Sequence, residues 1–263
     1  MDADTIAGCR AKADRAEASV EELASDWKAW VATNPYPSRI DVEPDRSEHR
    51  LYYDFSTPIP LRFPVRVGEI AHDLRSALDH LVWREAVELI GYKAADKKGS
   101  RLAFPILRSR VAFRKSEVKG WVNPDAWTII ERYQPYDRGK PKRSKDLSLL
   151  HWINRVDKHR LLHGGTVHLG HFNPVTLVSF DPSARLIEAP VWGNVLGRPL
   201  KRETKIAWFR FDPQGSDPDM RVEGTPKMNV SFGDTPGYLR RAEISETIRE
   251  TRRVIDDFAR LMS

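Results

Sequence analysis

The chain has 263 residues, of which 40% are hydrophobic and 30% charged, a balance that sustains a packed core and excludes a disordered polypeptide. Its formal charge of +6, from 43 basic and 37 acidic residues, favours polyanions without demanding them. Cys9 is the lone cysteine, so an intramolecular disulfide and a cysteine-based zinc site are excluded within one chain. The first twenty residues carry charges in place of the apolar stretch of a signal peptide, and no run of about 18 apolar residues occurs. These features predict a cytoplasmic protein that is neither exported nor membrane-inserted.

In chain order, Ile6, Cys9, Ala13, Ala16, Val20, Leu23, Trp27 and Trp30 recur at three and four, which predicts an amphipathic helix over 4–32. Pro35 and Pro37 end it, and Ile40, Val42, Leu51, Tyr52 and Phe55 predict a hairpin within 39–55. Pro58, Pro60 and Pro64 read as breakers before a helix over 67–90, whose apolar face is Ile70, Ala71, Leu74, Ala77, Leu78, Leu81 and Val82. A charged link is expected over 95–100. Phe104-Pro105-Ile106 should be extended, because a residue before proline avoids the α region.

Short helices are expected near 110–120 and 123–133, the second with Asn123 as N-cap and Pro124 at the first helical position. Arg138 to Lys145 is a basic loop leading into a helix over 145–163, stopped by Gly164-Gly165. Beyond it the period shortens. Runs at 175–180, 186–189, 206–211 and 228–232 predict a small antiparallel sheet, and a last helix covers 237–262. The expected fold is mainly α (α+β): a single domain with a bundle of four long helices, its helical core at 4–32, 67–163 and 237–262. The β-hairpin at 39–55 and the sheet segment at 166–232 are insertions.

Function is signalled most sharply on the second helix, where His72, Arg75, Ser76, Asp79 and His80 follow at spacings of three and four and share one stripe. A guanidinium that neutralises phosphorane oxygens and an imidazole that moves a proton suffice to cleave RNA through its 2′-hydroxyl. Arg75 is the expected phosphate ligand and His80 the expected proton-transfer group, with Asp79 and His159 assisting. Five residues turn a helix by about 140°, so Arg75 and His80 converge at a helix end or across a two-fold interface. The bland alternative is an Arg75–Asp79 ion pair with His80 bonded to a neighbouring helix.

A second cluster, Asn154, Asp157, Lys158, His159, Arg160 and His163, closes the helix over 145–163. Lys158, His159 and Arg160 are expected to bind phosphate opposite the Arg75 stripe, oriented by Asp157. The same cations would complement the helix dipole with no further role. His159 and His163 at i,i+4 could instead chelate a divalent ion with Asp157, Asp79 or His80. The basic loop behind Tyr133 and Tyr136 could follow a phosphate backbone while the rings stack on bases. The arginines of the last helix are interleaved with acids and read as a solvated face.

Arg75 and His80, with Ser76 after the arginine, resemble the R-x4-6-H motif of the HEPN superfamily. HDLRSALDHL at 72–81, FPI at 104–106, IERYQPY at 130–136 and NRVDKHR at 154–160 together resemble a family of bacterial proteins common in actinobacteria, and that wider resemblance implies no activity of its own. The HEPN resemblance implies an RNA-binding or metal-independent RNA-cleaving protein, of phage-defence or toxin type, with no cofactor, RNA as partner and a homodimer as one way to assemble the site. The alternative is a non-catalytic helical protein with a structural Arg/Asp/His network and a protein-binding surface. A metal-dependent hydrolase is third.

Overall fold

The computed structural model describes residues 2–136, 143–159, 166–171, 176–178, 185–193, 203–212, 221–223, 227–231 and 241–262. They form a mainly α protein with a small antiparallel sheet. Two compact units emerge. One gathers Met1–Ser25, Arg62–Leu162 and Arg241–Ser263, the other Asp26–Leu61 and His163–Arg240.

The helical unit holds most of α1 (Ala3–Ala32), then α2 (Arg62–Ile90), α3 (Tyr92–Asp96), α4 (Arg110–Arg114), α5 (Pro124–Arg132), α6 (Arg143–His159) and α7 (Arg241–Ala259). Helix α2 is the centre of the bundle and touches α3, α6 and α7. Its buried stripe includes Leu74, Ala77, Leu78, Leu81 and Val82, all within 1% of full burial. Small residues let α1 lie close on it: Cys9, Ala13 and Ala16 are at 0% exposure, and the Cys9 thiol donates to the Ala77 carbonyl at 3.3 Å. Leu147, Leu150 and Ile153 of α6 and Ile248, Val254 and Phe258 of α7 complete the apolar interior.

Helix α2 begins at Arg62 rather than at 67. Pro64 falls in its first turn, where the amide hydrogens have no partner within the helix, so a residue that reads as a breaker is accommodated. Helix α5 forms as its sequence dictates, with Asn123 accepting from the Asp125 amide at 3.0 Å and Pro124 opening the helix. The expected link over 95–100 is instead mostly helical turn, with α3 running to Asp96 and a short 3-10 turn at Gly99–Arg101. The Gly164-Gly165 stop and most of the basic loop lie outside the described residues.

In the β unit, strands β1 (Ser38–Val42) and β2 (Glu48–Asp54) form the expected hairpin. The later segment supplies β3 (Thr166–His171), β4 (Thr176–Val178), β5 (Leu186–Trp192), β6 (Glu203–Phe211), β7 (Arg221–Glu223) and β8 (Lys227–Ser231). The hairpin does not stand apart. It joins β5 and β6 in a four-stranded antiparallel sheet of order β1-β2-β6-β5, while β3 pairs with β8 and β4 with β7. Alternation sets the register of β2, where His49, Leu51 and Tyr53 are buried; in β6 Ile206, Ala207, Phe209 and Phe211 are buried, the break at Ile206-Ala207 lying beside the register shift between Leu51 and Tyr52.

Candidate functional site

The extended segment Phe104–Leu107 crosses the helical unit as a strap, and the stripe of α2 holds it. Arg75 donates from Nη2 to the Phe104 carbonyl at 2.7 Å, and Asp79 accepts from the Phe104 amide through Oδ1, also at 2.7 Å. The two side chains are themselves paired, Nη2 to Oδ1 at 2.9 Å and Nε to Oδ2 at 3.2 Å. An i,i+4 ion pair thus reads both polar groups of one backbone residue, as a neighbouring strand would. From the other side Gln134, at 1% exposure, donates to the Pro105 carbonyl at 2.7 Å and to the Ile130 carbonyl at 3.0 Å. Its Oε1 accepts from the Leu107 amide at 3.0 Å. Three of the sequence landmarks, around Arg75, Phe104 and Gln134, are therefore one hydrogen-bonded structure.

Arg75 is 8% exposed. With Nε and Nη2 committed to Asp79 and Phe104, its Nη1 is buried with no hydrogen-bond partner among the described residues. The charge of this guanidinium extends to His151 on α6. The His151 imidazole reaches solvent, and its pKa is held below the ordinary 6.5, first by lost hydration and then by the positive charges of Arg75, Arg155 and Arg108; Asp79 pulls weakly the other way. His151 and Arg155 stand at i,i+4 on α6, and Arg108 follows the clamped strap directly. Arg108 and Arg155 are exposed, and neither has an acidic partner among the described residues. The charges of three guanidinium groups thus act on one imidazole.

The structure pairs Arg75 with Asp79; of the other candidates, His72, His80, Asp157 and Lys158 make no hydrogen bond or ion pair to either among the described residues. His80 is exposed on α2, with Nε2 3.5 Å from Ser76 Oγ; its pKa is lowered by partial burial and by Lys12, and raised by Asp79. His72 is exposed as well. Asp157 meets α2 closely: a Cβ built on Gly68 would collide with its carboxylate, so a larger residue at 68 would push that side chain aside. Lys158 is exposed on the last turn of α6. The side chain of His159, and all of Arg160 and His163, lie outside the described residues. Sequence reasoning did not single out Arg108 or Arg155, and it noted His151 only as one of the histidines clustered over 151–171.

The arginine-rich surface between α5 and α7 carries its own carboxylates. A cavity of about 340 Å³ between α5 and α7 is lined by Arg132, Tyr133, Arg253, Asp256, Asp257 and Arg260. Asp257 takes Arg132 at 2.8 Å, the Tyr133 hydroxyl at 2.8 Å and Arg260 at 2.6 Å. No family model, curated protein or solved structure matches the chain.

Proposed function

We propose that the helical unit binds RNA, with its phosphates gathered around His151, and that Arg75 and Asp79 are the frame of that group rather than a cleaving pair with His80. What supports this reading is that the charges of Arg75, Arg155 and Arg108 all act on His151, while neither exposed arginine has an acidic partner among the described residues. Unpaired cations attract phosphate more strongly than paired ones, because no carboxylate must be displaced. Guanidinium groups suit the task by geometry, each presenting a planar fork to phosphate oxygens.

The test is binding of a fluorescent single-stranded RNA at several salt concentrations. Arg108→Ala with Arg155→Ala is expected to weaken binding at least tenfold and to lower the salt slope by about 1.4, at about 0.7 per phosphate contact. Unchanged affinity and slope would refute the assignment. Incubation of RNA with EDTA present separates binding from cleavage: loss of intact RNA that disappears in His80→Ala would restore the Arg75–His80 nuclease reading.

A second reading draws on a different observation. Arg75 and Asp79 together satisfy both backbone groups of Phe104, which is what a structural network in a non-catalytic, protein-binding helical protein would do. RNA binding that is absent altogether, in a protein that loses its fold with Arg75→Ala, favours it.

A further inference from the structure

We infer that residues 92–121 form the face along which a single strand of RNA runs, with a base stacked on Trp121 and its phosphate on Lys98. This rests on the RNA-binding reading and names the form of RNA and the surface that takes it.

Charge complementarity is the first argument. Residues 92–121 carry nine lysines and arginines against two acids, Asp96 and Glu117. Their net charge of +7 exceeds the +6 of the whole chain, so everything outside the segment sums to −1. Positive charge concentrated in this way is the electrostatic footprint of a nucleic-acid partner. The segment is no loose tail. Leu102, Phe104, Ile106, Phe113 and Val118 are buried, and Arg75, Asp79 and Gln134 clamp its middle. Its cations stay at the surface, Lys98 alone among them half-buried. Among the described residues only Arg101 of these cations reaches an acid, Glu117 at 3.3 Å.

Trp121 supplies the second argument. The Lys98 Nζ lies 4.6 Å from the centroid of its ring and the Arg101 Cζ 5.7 Å from it, so two cations meet at one half-buried indole. Glu117 holds Arg101 beside the ring, whereas Lys98 has no acidic partner among the described residues and ends a flexible stem. A base arriving at the indole takes the place of the ammonium, stacks on the ring, and leaves Lys98 to follow the phosphate attached to that base. No carboxylate has to be displaced. The pairing of ring and cation recurs at Tyr136, with the Arg110 Cζ 5.5 Å from its centroid.

Strandedness follows from the stacking. The bases of a duplex are stacked on one another and present their edges and backbone, while those of a single strand can turn out onto an aromatic ring.

The experiment follows the anisotropy of one labelled RNA, alone and annealed to its complement, at several salt concentrations, with phosphatidylserine vesicles as a separate arm. The single strand is expected to bind at least tenfold more tightly than the duplex. Trp121→Ala should cost about tenfold in single-strand affinity without changing the salt slope, and Trp121→Phe should restore most of it. Lys98→Ala should lower that slope by about 0.7. Each variant is first matched to the parent in thermal unfolding; should Trp121→Ala fail there, the strand preference of the parent and the slope of Lys98→Ala decide. Equal affinity for both forms, with Trp121→Ala and Lys98→Ala silent while Arg108→Ala with Arg155→Ala still weakens binding, would overturn the platform and leave RNA binding standing. No binding of either form would overturn both readings, and vesicle binding in its place would hand the basic segment to a membrane surface.

Discussion

Two arginine-rich surfaces of the helical unit differ in what surrounds the charge. On α7, Arg252 reaches Asp14 and Glu17 of α1 at 2.7 Å, Arg253 reaches Glu250 at 2.9 Å, and Arg260 reaches Asp257 at 2.6 Å. On the side of His151, Arg108 and Arg155 have no acidic partner among the described residues, and the Asp79 carboxylate that acts on this imidazole is engaged by Arg75 and the strap. The number of arginines is larger on α7, yet their field is cancelled at short range. Unpaired charge is what the proposed RNA-binding face offers an anion, whereas on α7 a carboxylate would first have to be displaced.

The comparison can be broken first at its foundation. Arg75→Ala leaves the Phe104 carbonyl and the Asp79 carboxylate without their cation in a mostly buried setting, with an expected loss of about 3 kcal/mol in urea unfolding. A loss below about 1 kcal/mol would show that the strap is held by its apolar contacts alone. Gln134→Ala removes three hydrogen bonds to buried backbone and is expected to cost about 2 kcal/mol by the same measurement. It should also weaken RNA binding several-fold, because Arg108 is carried by the strap that Gln134 clamps.

Arg252→Ala sharpens the contrast from the other side. Its partners are exposed, so stability should fall by about 1 kcal/mol or less, and RNA affinity should change less than twofold. A tenfold loss of RNA affinity there would move the binding face to α7.

The smallest expected effect is on pH dependence. His151 and His80 both have folded pKa values below the ordinary 6.5, so between those values and 6.5 the unfolded chain binds protons that the folded chain does not. Stability therefore falls as pH drops through this window, and it recovers as pH rises above 6.5. His151→Gln should flatten part of that slope in unfolding titrations from pH 5 to 7. Buried Glu85, which accepts from the Asn123 amide, is shifted upward by burial. It works in the opposite direction, costing stability as pH rises from its ordinary 4.5 through its folded value. An unchanged slope in His151→Gln would mean that the imidazole does not feel the three guanidinium groups.

Local chemistry explains which features could be read in advance. Asn123 and Pro124 open α5 because a cap and a first-turn proline act within a few residues, and the apolar spacing of α2 finds its face for the same reason. The Arg75–Asp79 pair was also legible as an i,i+4 contact. Its purpose was not, since the strap it holds lies 25 residues away from Asp79 in the chain. His80 illustrates the converse: a motif spacing placed it beside Arg75 in sequence, while the helix turned the two side chains to different neighbours.

Helix positions, the paired arginine-and-acid pattern of α7 and the single cysteine's burial on an alanine-lined face follow from residue types and their periods, because those depend on neighbours a turn or two away. The union of the hairpin with β5 and β6, the clamp on Phe104 and the action of the Arg75 and Arg108 charges on His151 required the folded chain. Each joins groups separated by tens of residues, and no period in a sequence records which distant partner will satisfy a buried amide or leave a charge unpaired.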